Sequence, residues 1–535
     1  MKKSNGSLVS AAFILGGASL LSRFAGLIRE RVLTTTYGAG DILDAFVAAF
    51  RLPDLVFNLV VVGALSAAFI PVFTDKLVHK NQGREKAFVF ALSLLNTLLI
   101  IVAILCGFYI IIAPLIVPLI TPGFDGAKLE LTIKLSRIMA LQPIVLAISF
   151  VFSGMLNSFK RFAAAALAPV VYNVGIIIGV IFLVPLFGIT GLAWGVVLGA
   201  VFHVAIQLPA VWKVGFRWQP ILSTSQAELK KLWKLMLPRV FGLAAQQINL
   251  LVETIVGSTL LAGSISVFYL ANNIQYLPIG IFALSFAQAA FPTMAEHIAR
   301  GEKKEFRTTL MRSFRYILFF LIPLSVLFYL LRAQMVRVLY GDGAFDWEDT
   351  ILTLNTLGWL LVSIFAQGLI PLLTRAFYVQ HDTKTPVIIS FISITVNLIL
   401  SLVLTPYFGV LGLAMSFSIS AILNMTLLLG RLHWQLGGLQ DREVSSSLWR
   451  ITCAAFVAGL VIQALKYPVA AVVDMSRFWG VATQLTVCGL GGVIVYLALC
   501  WVLKSEELRA LRRYIPRKFQ GITTTETPSL GGLSD

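Results

Sequence analysis

Residues 22–71 read SRFAGLIRERVLTTTYGAGDILDAFVAAFRLPDLVFNLVVVGALSAAFIP, and this stretch decides how the chain is built. Apolar residues dominate it, yet charged side chains interrupt it: Arg23, Arg29, Glu30, Arg31, Asp44, Arg51 and Asp54. A charge at bilayer depth costs at least about 2.5–3.5 kcal/mol on insertion scales, so such residues usually face a bundle interior or a watery cavity. The stretch therefore indicates a positively charged pocket inside a membrane protein, suited to an anionic ligand.

The spacing of the arginines constrains where they point. Arg23 and Arg29 are six residues apart, which places them about 120° apart on a straight helix, whereas Arg23 and Arg31 lie within about 80° of each other. Gly26 lies between the first two and would let the helix bend. An alternative stays open, in which these arginines lie at the membrane surface and extend to the lipid headgroups.

The composition of the whole chain indicates a polytopic membrane protein. Its 535 residues are 58% hydrophobic and only 13% charged, whereas soluble domains carry about 25% charged residues. The net charge of +17 is first a signal of topology in such a protein and only then a hint of anionic partners. The four cysteines lie in apolar runs without metal-binding spacing or obvious pairing, as buried hydrophobic residues do. The N-terminal MKKSNGS leads into a long apolar segment, which we expect to be a retained first span.

Fourteen runs are long and apolar enough to span a membrane as helices. They lie at roughly 8–34, 42–74, 88–120, 132–158, 162–184, 190–212, 232–260, 264–294, 314–333, 351–380, 384–405, 408–431, 448–472 and 479–503. With the N-terminus in the cytoplasm, the inside segments carry 30 of the 42 basic residues and the outside loops carry five. This asymmetry fits the positive-inside rule and predicts that both chain ends are cytoplasmic.

Two short sequences recur at a nearly constant distance. LVPLFGITGLA at 183–193 matches LTPYFGVLGLA at 404–414, and Leu52-Pro53 has a counterpart in Leu277-Pro278. Offsets of 221 and 225 residues indicate a duplicated unit of six spans. An even number of spans keeps both copies in one orientation, so the halves should be related by an axis along the membrane normal, with substrate between them and alternating access.

The predicted fold is therefore an all-α polytopic membrane protein with 14 transmembrane helices. Two six-helix bundles, residues 1–220 and 221–435, are expected to be related by a pseudo-two-fold axis along the membrane normal. Two further transmembrane helices lie within 436–505, and a basic cytoplasmic tail occupies 506–535.

Polar residues within the spans suggest how transport could be coupled to an ion. Glu253, alone and deep in span 7, is a functional candidate because buried acids in membranes are costly. Asn397 and Ser401 share one face of span 11 and could supply neutral oxygens to Na⁺, while Glu253 could bind Na⁺ or a proton. Glu253 could instead pair with a neighbouring donor, and the membrane potential alone could drive the cycle. Single asparagines in spans more often hold helices together.

No catalytic arrangement is recognisable in the sequence. It contains no paired carboxylates, no nucleophile motif and no phosphate-binding loop, and its five histidines are scattered. We therefore expect a protein that is not an enzyme, has no cofactor and does not hydrolyse ATP itself. A membrane-embedded glycosyltransferase is disfavoured because no loop offers clustered acids or a metal site.

Several motifs resemble those of the MurJ/MviN family of lipid II flippases, within the multidrug/oligosaccharidyl-lipid/polysaccharide exporter superfamily. These motifs are Ser22-Arg23-x-x-Gly26-x-x-Arg29, YGAGDILDAFVAAFRLPD at 37–54, GALSAAFIPVF at 63–73, LNSFKRFAAAALAPVVYN at 156–173, QLP at 207–209 and RAFYVQHDTKTPV at 375–387. The resemblance implies a carrier that flips the undecaprenyl-diphosphate-linked peptidoglycan precursor from the inner to the outer leaflet of the bacterial cytoplasmic membrane. Its partners would be this lipid, membrane lipids and the cell-wall synthesis machinery; a monomer is expected, and nucleic acid is not.

The resemblance also implies a substrate site. The span 1 arginines of the family match Arg23 and Arg29, and its span 2 acid matches Asp44, which we expect to orient an arginine. The complete predicted set of substrate-binding residues is Ser22, Arg23, Arg29, Asp44, Arg51, Asn272, Asn273 and Arg375. Guanidinium groups suit a diphosphate because they offer planar, bidentate donors. For Arg375, at the cytoplasmic end of span 10, an ordinary positive-inside charge is the alternative to a gating role.

The sequence departs from the family pattern at two places. A basic pair and an acid in span 2 of better-studied members are replaced by Phe57, Asn58 and Val62, and an Asp-Arg pair in span 8 is replaced by Asn272-Asn273. Alternatives to a lipid II flippase are therefore a flippase for another polyprenyl-linked glycan, a cation or drug antiporter of the superfamily, and a non-transporting membrane scaffold.

Overall fold

A computed structural model describes residues 2–62, 69–78, 83–222, 240, 244–439 and 441–514. These residues form helices joined by short connections, with no β-strand among them. The prediction of an all-helical protein is thus confirmed. The predicted tail, 506–535, lies outside the described residues from position 515 onward.

The helices are numbered α1 to α22 in chain order. The first ten are α1 (Lys2–Tyr37), α2 (Asp41–Val56), α3 (Ile70–Val78), α4 (Gly83–Ile120), α5 (Gly126–Met139), α6 (Leu141–Ser158), α7 (Phe162–Ile178), α8 (Val184–Phe187), α9 (Gly191–Ala205) and α10 (Leu208–Lys213). The next nine are α11 (244–258), α12 (Ser264–Pro278), α13 (Leu284–Ala299), α14 (Lys303–Leu330), α15 (Arg332–Leu339), α16 (Trp347–Leu361), α17 (Ile364–Val379), α18 (Lys384–Phe408) and α19 (Val410–Leu436). The last three are α20 (Asp441–Val472), α21 (Phe478–Val502) and α22 (Glu506–Tyr514).

Within the described residues, ten helical stretches are long and apolar enough to cross a membrane. The pair α16 and α17, bent by 46° at a short break, adds an eleventh if it is counted as one span. The chain is therefore a multi-span membrane protein. The sequence predicts fourteen spans, which is more than this count, and that number stays a prediction.

Three helices contain π-helical turns, which interrupt the regular hydrogen-bond ladder. The turns are Phe57–Val62 after α2, Gly179–Leu183 after α7 and Ile279–Ala283 after α12. Pro53 precedes the first and Pro278 the third, and proline lacks the N–H that an α-helical ladder needs. The two repeated Leu-Pro sequences thus produce the same kind of break in α2 and α12.

The second repeated sequence forms a tight turn in both places. Gly188 has φ +63° and Gly409 has φ +57°, a region that glycine adopts without strain. A Cβ atom at Gly191 would lie 2.4 Å from the carbonyl carbon of Leu183, and one at Gly412 would lie 2.6 Å from that of Leu404. Both turns therefore need glycine twice, once for the left-handed backbone and once for the close approach of the chain.

The last helices extend the second half of the bundle. Helix α20 packs along α14 and α21, and the hydroxyl of Tyr496 on α21 donates to the carbonyl oxygen of Phe319 on α14 at 2.8 Å. The two predicted extra spans thus form a helical pair attached to one side of α14.

One face of the bundle is sealed by contacts among four loops. The N–H of Ala344 donates to the carbonyl oxygen of Thr35 at 2.9 Å. A Cβ atom at Gly263 would lie 1.9 Å from the carbonyl oxygen of Ala39, and one at Gly123 would lie 2.1 Å from that of Ser258. We call this the closed face, defined by residues 35–40, 121–125, 259–263 and 340–346, which include loops predicted to lie outside the cell.

Candidate functional site

A cavity of about 350 Å³ lies between helices of the first half and α12. Its wall is largely aromatic, with two arginines and a few polar groups inserted. The lining residues are Arg29, Phe46, Val47, Phe50, Arg51, Asp54, Phe57, Asn58, Gln142, Leu146, Phe150, Pro169, Tyr172, Ile176, His203 and Tyr269. Such a wall, mostly apolar with few polar groups, is typical of small-molecule sites.

Arg29 is held in place from three helices. Its Nη1 donates to Oδ1 of Asn173 on α7 at 3.0 Å, and its Nη2 donates to the hydroxyl of Tyr269 on α12 at 3.2 Å. Nη2 also forms a salt bridge with Glu30, and the Tyr269 hydroxyl donates to Oε1 of Glu30 at 2.8 Å. A partly buried guanidinium in a fixed orientation is a preorganised site for an anion.

Arg51 is the second arginine of the cavity and links the two halves. Its Nε donates to Oγ1 of Thr254 on α11 at 2.8 Å. Asp54, one helical turn further along α2, is the only carboxylate that lines the cavity within the described part of the chain. The cavity therefore presents two cationic groups and one anionic group.

Arg23 and Ser22 lie outside the lining of this cavity. The Arg23 guanidinium packs on the π-helical turn after α12. It lies so close to Gly280 that a Cβ atom there would be 2.4 Å from Arg23 Nη2. The carbonyl oxygen of Ser22 accepts a hydrogen bond of 3.4 Å from Asn173 Nδ2. The different surroundings of Arg23 and Arg29 agree with the angle of about 120° expected from their spacing.

Asp44 has partners other than the predicted arginine. Its Oδ2 accepts from Lys128 Nζ at 2.9 Å and from the N–H of Gly263 at 2.8 Å. Its Oδ1 accepts from the N–H and the hydroxyl of Ser266, at 2.8 and 2.7 Å. The predicted pairing of Asp44 with an arginine is therefore wrong, because this carboxylate binds the N-terminus of α12, where backbone N–H groups are free.

The remaining predicted substrate residues lie away from the cavity lining. Asn273 forms a hydrogen bond with the Tyr269 hydroxyl, so it acts on Arg29 only through that tyrosine, and Asn272 beside it is half-buried. Arg375 lies half-buried on α17, four residues before the helix ends. In the loop after it, burial alone would raise the pKa of Asp382, but hydrogen bonds from Thr385 lower that pKa below its ordinary value.

The predicted ion-coupling residues form one buried hydrogen-bond chain. Asn249 Nδ2 donates to Glu253 Oε1 at 2.7 Å, and Asn397 Nδ2 donates to Asn249 Oδ1 at 2.9 Å. The Ser401 hydroxyl lies 3.5 Å from Asn397 Oδ1. These hydrogen bonds join α11 to α18 and place one carboxylate among neutral amide and hydroxyl groups. No group of three or more His, Cys, Asp or Glu able to hold a metal occurs in the described segments.

Sequence reasoning missed several partners in these sites. Glu30 is adjacent to Arg29, and neighbouring residues on a helix do not normally face each other, so their joint contact with Tyr269 had no sequence signal. Sequence reasoning also did not predict that Lys128, near the start of α5, pairs with Asp44 and Asp41. An unbalanced acid at the start of α2 could have suggested a basic partner.

Comparisons with known proteins identify similar chains along most of the length. A statistical model of the lipid II flippase MurJ family matches residues 33–483. A probable lipid II flippase MurJ from Rhizobium meliloti (strain 1021) is 30% identical over 531 residues, covering 96% of this chain and 97% of the relative. A lipid II flippase MurJ from Burkholderia cenocepacia is 28% identical over 430 residues, covering 79% and 83%.

Two solved structures share the fold. A lipid II flippase MurJ in an inward closed conformation has a TM-score of 0.75 at 24% identity, covering 94% of this chain and all of that one. An inward-facing multidrug resistance MATE family transporter of the MOP superfamily has a TM-score of 0.66 at 17% identity, covering 80% and 99%.

Proposed function

Because the chain belongs to the MurJ family of lipid II flippases, we propose that it moves lipid II from the inner to the outer leaflet of the bacterial cytoplasmic membrane for cell-wall synthesis. The observation that carries this proposal is the partly buried guanidinium of Arg29, fixed at the edge of a cavity that Arg51 also lines. A carrier of a diphosphate-linked headgroup needs such donors inside the bundle. The polyprenyl tail can stay in the lipid while only the headgroup crosses.

The charges around Arg29 suggest how the headgroup is taken up. Glu30 forms a salt bridge with Nη2 of Arg29. A diphosphate carries more charge than one carboxylate and accepts bidentate hydrogen bonds, so it would displace Glu30 and engage Arg29 and Arg51 together. Glu30 and Tyr269 keep the guanidinium oriented between cycles, the role predicted for Asp44.

The rest of the cavity wall suits the sugar and amide groups of the headgroup. Phe57, Phe150 and Tyr172 offer flat apolar surfaces, and the apolar faces of sugar rings pack on aromatic rings. Asn58 and Gln142 offer amide groups in the same wall. The cavity of about 350 Å³ is at the small end of the usual range of about 300–1,000 Å³ for ligand pockets. It would therefore hold the diphosphate end of the headgroup and would have to widen for the remainder.

We propose fourteen spans in two six-helix bundles, 1–220 and 221–435, related by a pseudo-two-fold axis along the membrane normal. The stretch from Phe162 to Lys213 turns back at Gly188 and would supply two spans, while α1 and α11 would supply two more. The matching glycine turns and the matching breaks in α2 and α12 support the duplication. The helices α20 and α21, already among the ten apolar stretches, would be the last two of the fourteen spans.

We further propose that both chain ends are cytoplasmic and that the closed face is the outer one. The concentration of basic residues on the loops of the opposite face supports this orientation. The structure would then correspond to a carrier sealed toward the outside. We expect a monomer that contacts membrane lipids and interacts with the cell-wall synthesis machinery.

A cation or the membrane potential would reset the carrier. The proposed ion site consists of Glu253, Asn397 and Ser401, and Asn249 bridges them in the hydrogen-bond chain. Oxygen ligands of this kind suit hard cations such as Na⁺, and the carboxylate could bind a proton instead. One charge crossing the membrane field gains about 2.3 kcal/mol per 100 mV, so the potential could also contribute directly.

The test of the flippase is an accessibility assay for fluorescent lipid II in vesicles containing the purified protein. Arg29→Ala removes charge-assisted hydrogen bonds worth about 1.5–3 kcal/mol, so we expect flipping to fall about 10- to 100-fold. Arg477→Ala, at an arginine whose side chain is 81% exposed on a loop, is the control and should be neutral. A normal flipping rate for Arg29→Ala, at normal protein levels, would remove the proposed site.

A further inference from the structure

A second cavity, of about 240 Å³, lies between α14, α20 and α22. It is at the end of α20 remote from the closed face, because the loop after α20 reaches α15 at the closed face through Arg337 and Met475. Its lining consists of three arginines, three glutamates and two serines. The lining residues are Arg315, Arg442, Glu443, Ser446, Ser447, Arg450, Glu506 and Glu507.

Two of the three acids in this cavity, Glu506 and Glu507, share Arg315 as their partner, and the third, Glu443, is exposed to solvent. Glu507 is 3% exposed and accepts hydrogen bonds from the hydroxyls of Ser447 and Ser505, both at 2.7 Å. Arg315 forms ion pairs with Glu506 at 2.9 Å and with Glu507 at 3.7 Å. These contacts fasten α22 onto α14 and α20, and they use the charge of Arg315.

Two arginines remain available to a ligand. Arg442, Ser446 and Arg450 are spaced by four residues each, so they form a stripe along one face of α20. Arg450 Nη1 reaches only the carbonyl oxygen of Lys504, at 3.5 Å. Within the described segments no carboxylate forms an ion pair with Arg442 or Arg450. Two guanidinium groups flanking a hydroxyl are a donor set for a phosphate.

The surroundings place this stripe at the level of lipid headgroups. Trp449, next to Arg450 on α20, is 72% exposed, and Trp501, near the end of α21, is 68% exposed. Exposed tryptophans mark the boundary between water and lipid. Further along α20, Val457 lies seven residues after Arg450 and on nearly the same face. It is 40% exposed, and Leu460, one turn further along, is 56% exposed. A ligand with a phosphate and acyl chains would therefore meet matching surfaces on one helix.

We propose that this cavity binds the phosphate of an anionic phospholipid. Arg442 and Arg450 take the phosphate oxygens, Ser446 donates its hydroxyl, and the acyl chains lie along Val457 and Leu460. Basic pockets between transmembrane helices on the cytoplasmic side commonly hold such headgroups. The bound lipid bridges the start of α20 to the end of α21 through the contact of Arg450 with Lys504, and it thereby stabilises the C-terminal helices.

The experiment measures lipid binding to the full-length protein in detergent, by the shift of the thermal unfolding midpoint during titration with phosphatidylglycerol. Phosphatidylcholine, with a zwitterionic headgroup, and inorganic phosphate are titrated in parallel. We expect a shift with phosphatidylglycerol that is absent with the other two. Arg442→Gln with Arg450→Gln should weaken the apparent affinity at least tenfold, and Ser446→Ala should weaken it severalfold.

Arg300→Gln with Arg477→Gln is the matched control, because it removes two exposed arginines from other parts of the surface. An unchanged affinity in the Arg442 and Arg450 variant would overturn the proposal, as would equal protection by phosphatidylcholine. Equal protection by inorganic phosphate would show an ion site without lipid recognition and would equally overturn it. If the double variant does not fold, Ser446→Ala serves as the test by itself, because replacing a small exposed residue should leave the fold intact. None of these outcomes depends on flipping.

Discussion

Replacing Asp44 by asparagine should open the closed face. Asparagine can keep the hydrogen bonds from Ser266 on its carbonyl oxygen. Its amide nitrogen, however, would face two donors, the N–H of Gly263 and the ammonium group of Lys128. The variant therefore loses an ion pair and a charge-assisted hydrogen bond, and leaves Lys128 with only the exposed Asp41 as partner.

The size of the effect follows from burial. Hydrogen bonds to charged groups contribute about 1.5–3 kcal/mol each, and breaking a buried ion pair by removing one partner costs about 3–5 kcal/mol. Because Asp41 still neutralises part of the Lys128 charge, we take about 3 kcal/mol. Of the lost contacts, the hydrogen bond from Gly263 joins α2 to the start of α12, whereas Lys128 lies on α5. Only that hydrogen bond, about 1.5–3 kcal/mol, therefore favours opening. At about 1.4 kcal/mol per factor of ten, the open population should rise about 10- to 100-fold.

The assay is labelling of a cysteine at Ala39, which is buried in the closed face. The four native cysteines are replaced by serine, and a membrane-impermeant maleimide reports how often the face opens. The control is Asp41→Asn, on the same helix and also bonded to Lys128, but 61% exposed. A surface pair contributes about 0–1 kcal/mol, so the control should change labelling less than about fivefold. Equal labelling rates for the two variants would refute the idea that Asp44 holds this face.

Three further outcomes can be measured. Gly280→Ala should reduce flipping to the level of Arg23→Ala without loss of protein, because the new methyl group displaces only the end of a flexible side chain; a normal flipping rate would show that the position of Arg23 is unimportant. Gly188→Ala and Gly409→Ala should each destabilise by about 1–3 kcal/mol, and clearly unequal losses of thermal stability would contradict the equivalence of the two turns. Glu253→Gln should abolish the dependence of flipping on Na⁺ or pH while leaving the response to membrane potential, and an unchanged dependence on all three would make this acid structural.

The features that sequence could predict are local ones. Hydrophobic length and basic loops identify a helical membrane protein, and the six-residue spacing of Arg23 and Arg29 correctly separates their environments. The recurrence of LVPLFGITGLA and LTPYFGVLGLA predicted a shared structure, and both copies form the same glycine turn. In each case the physical cause acts within one helix or one turn.

The features that sequence could not predict depend on helices distant along the chain. Tyr269 lies 240 residues after Arg29, and nothing in its surroundings marks it as the hydrogen-bond partner of an arginine. Asp44 binds the start of α12 because the free N–H groups of that helix arrive there in the folded bundle. The packing of the helices decides which residues meet across the bundle, and neither composition nor periodicity of the sequence reports that packing.

Helix α12 connects the substrate site to the closed face. Its N-terminus is held by Asp44, and its middle is held by the contact of Tyr269 with Arg29 and Glu30. The π-helical turn that follows it contains Gly280, next to the guanidinium of Arg23. A diphosphate that binds Nη2 of Arg29 would compete for it with the Tyr269 hydroxyl as well as with Glu30, and would so loosen α12 from α1. Only a ligand that binds the two states differently can shift their equilibrium, and here the differential contact is the one that ties α12 to α1. Loading of the headgroup would then lower the cost of opening the closed face.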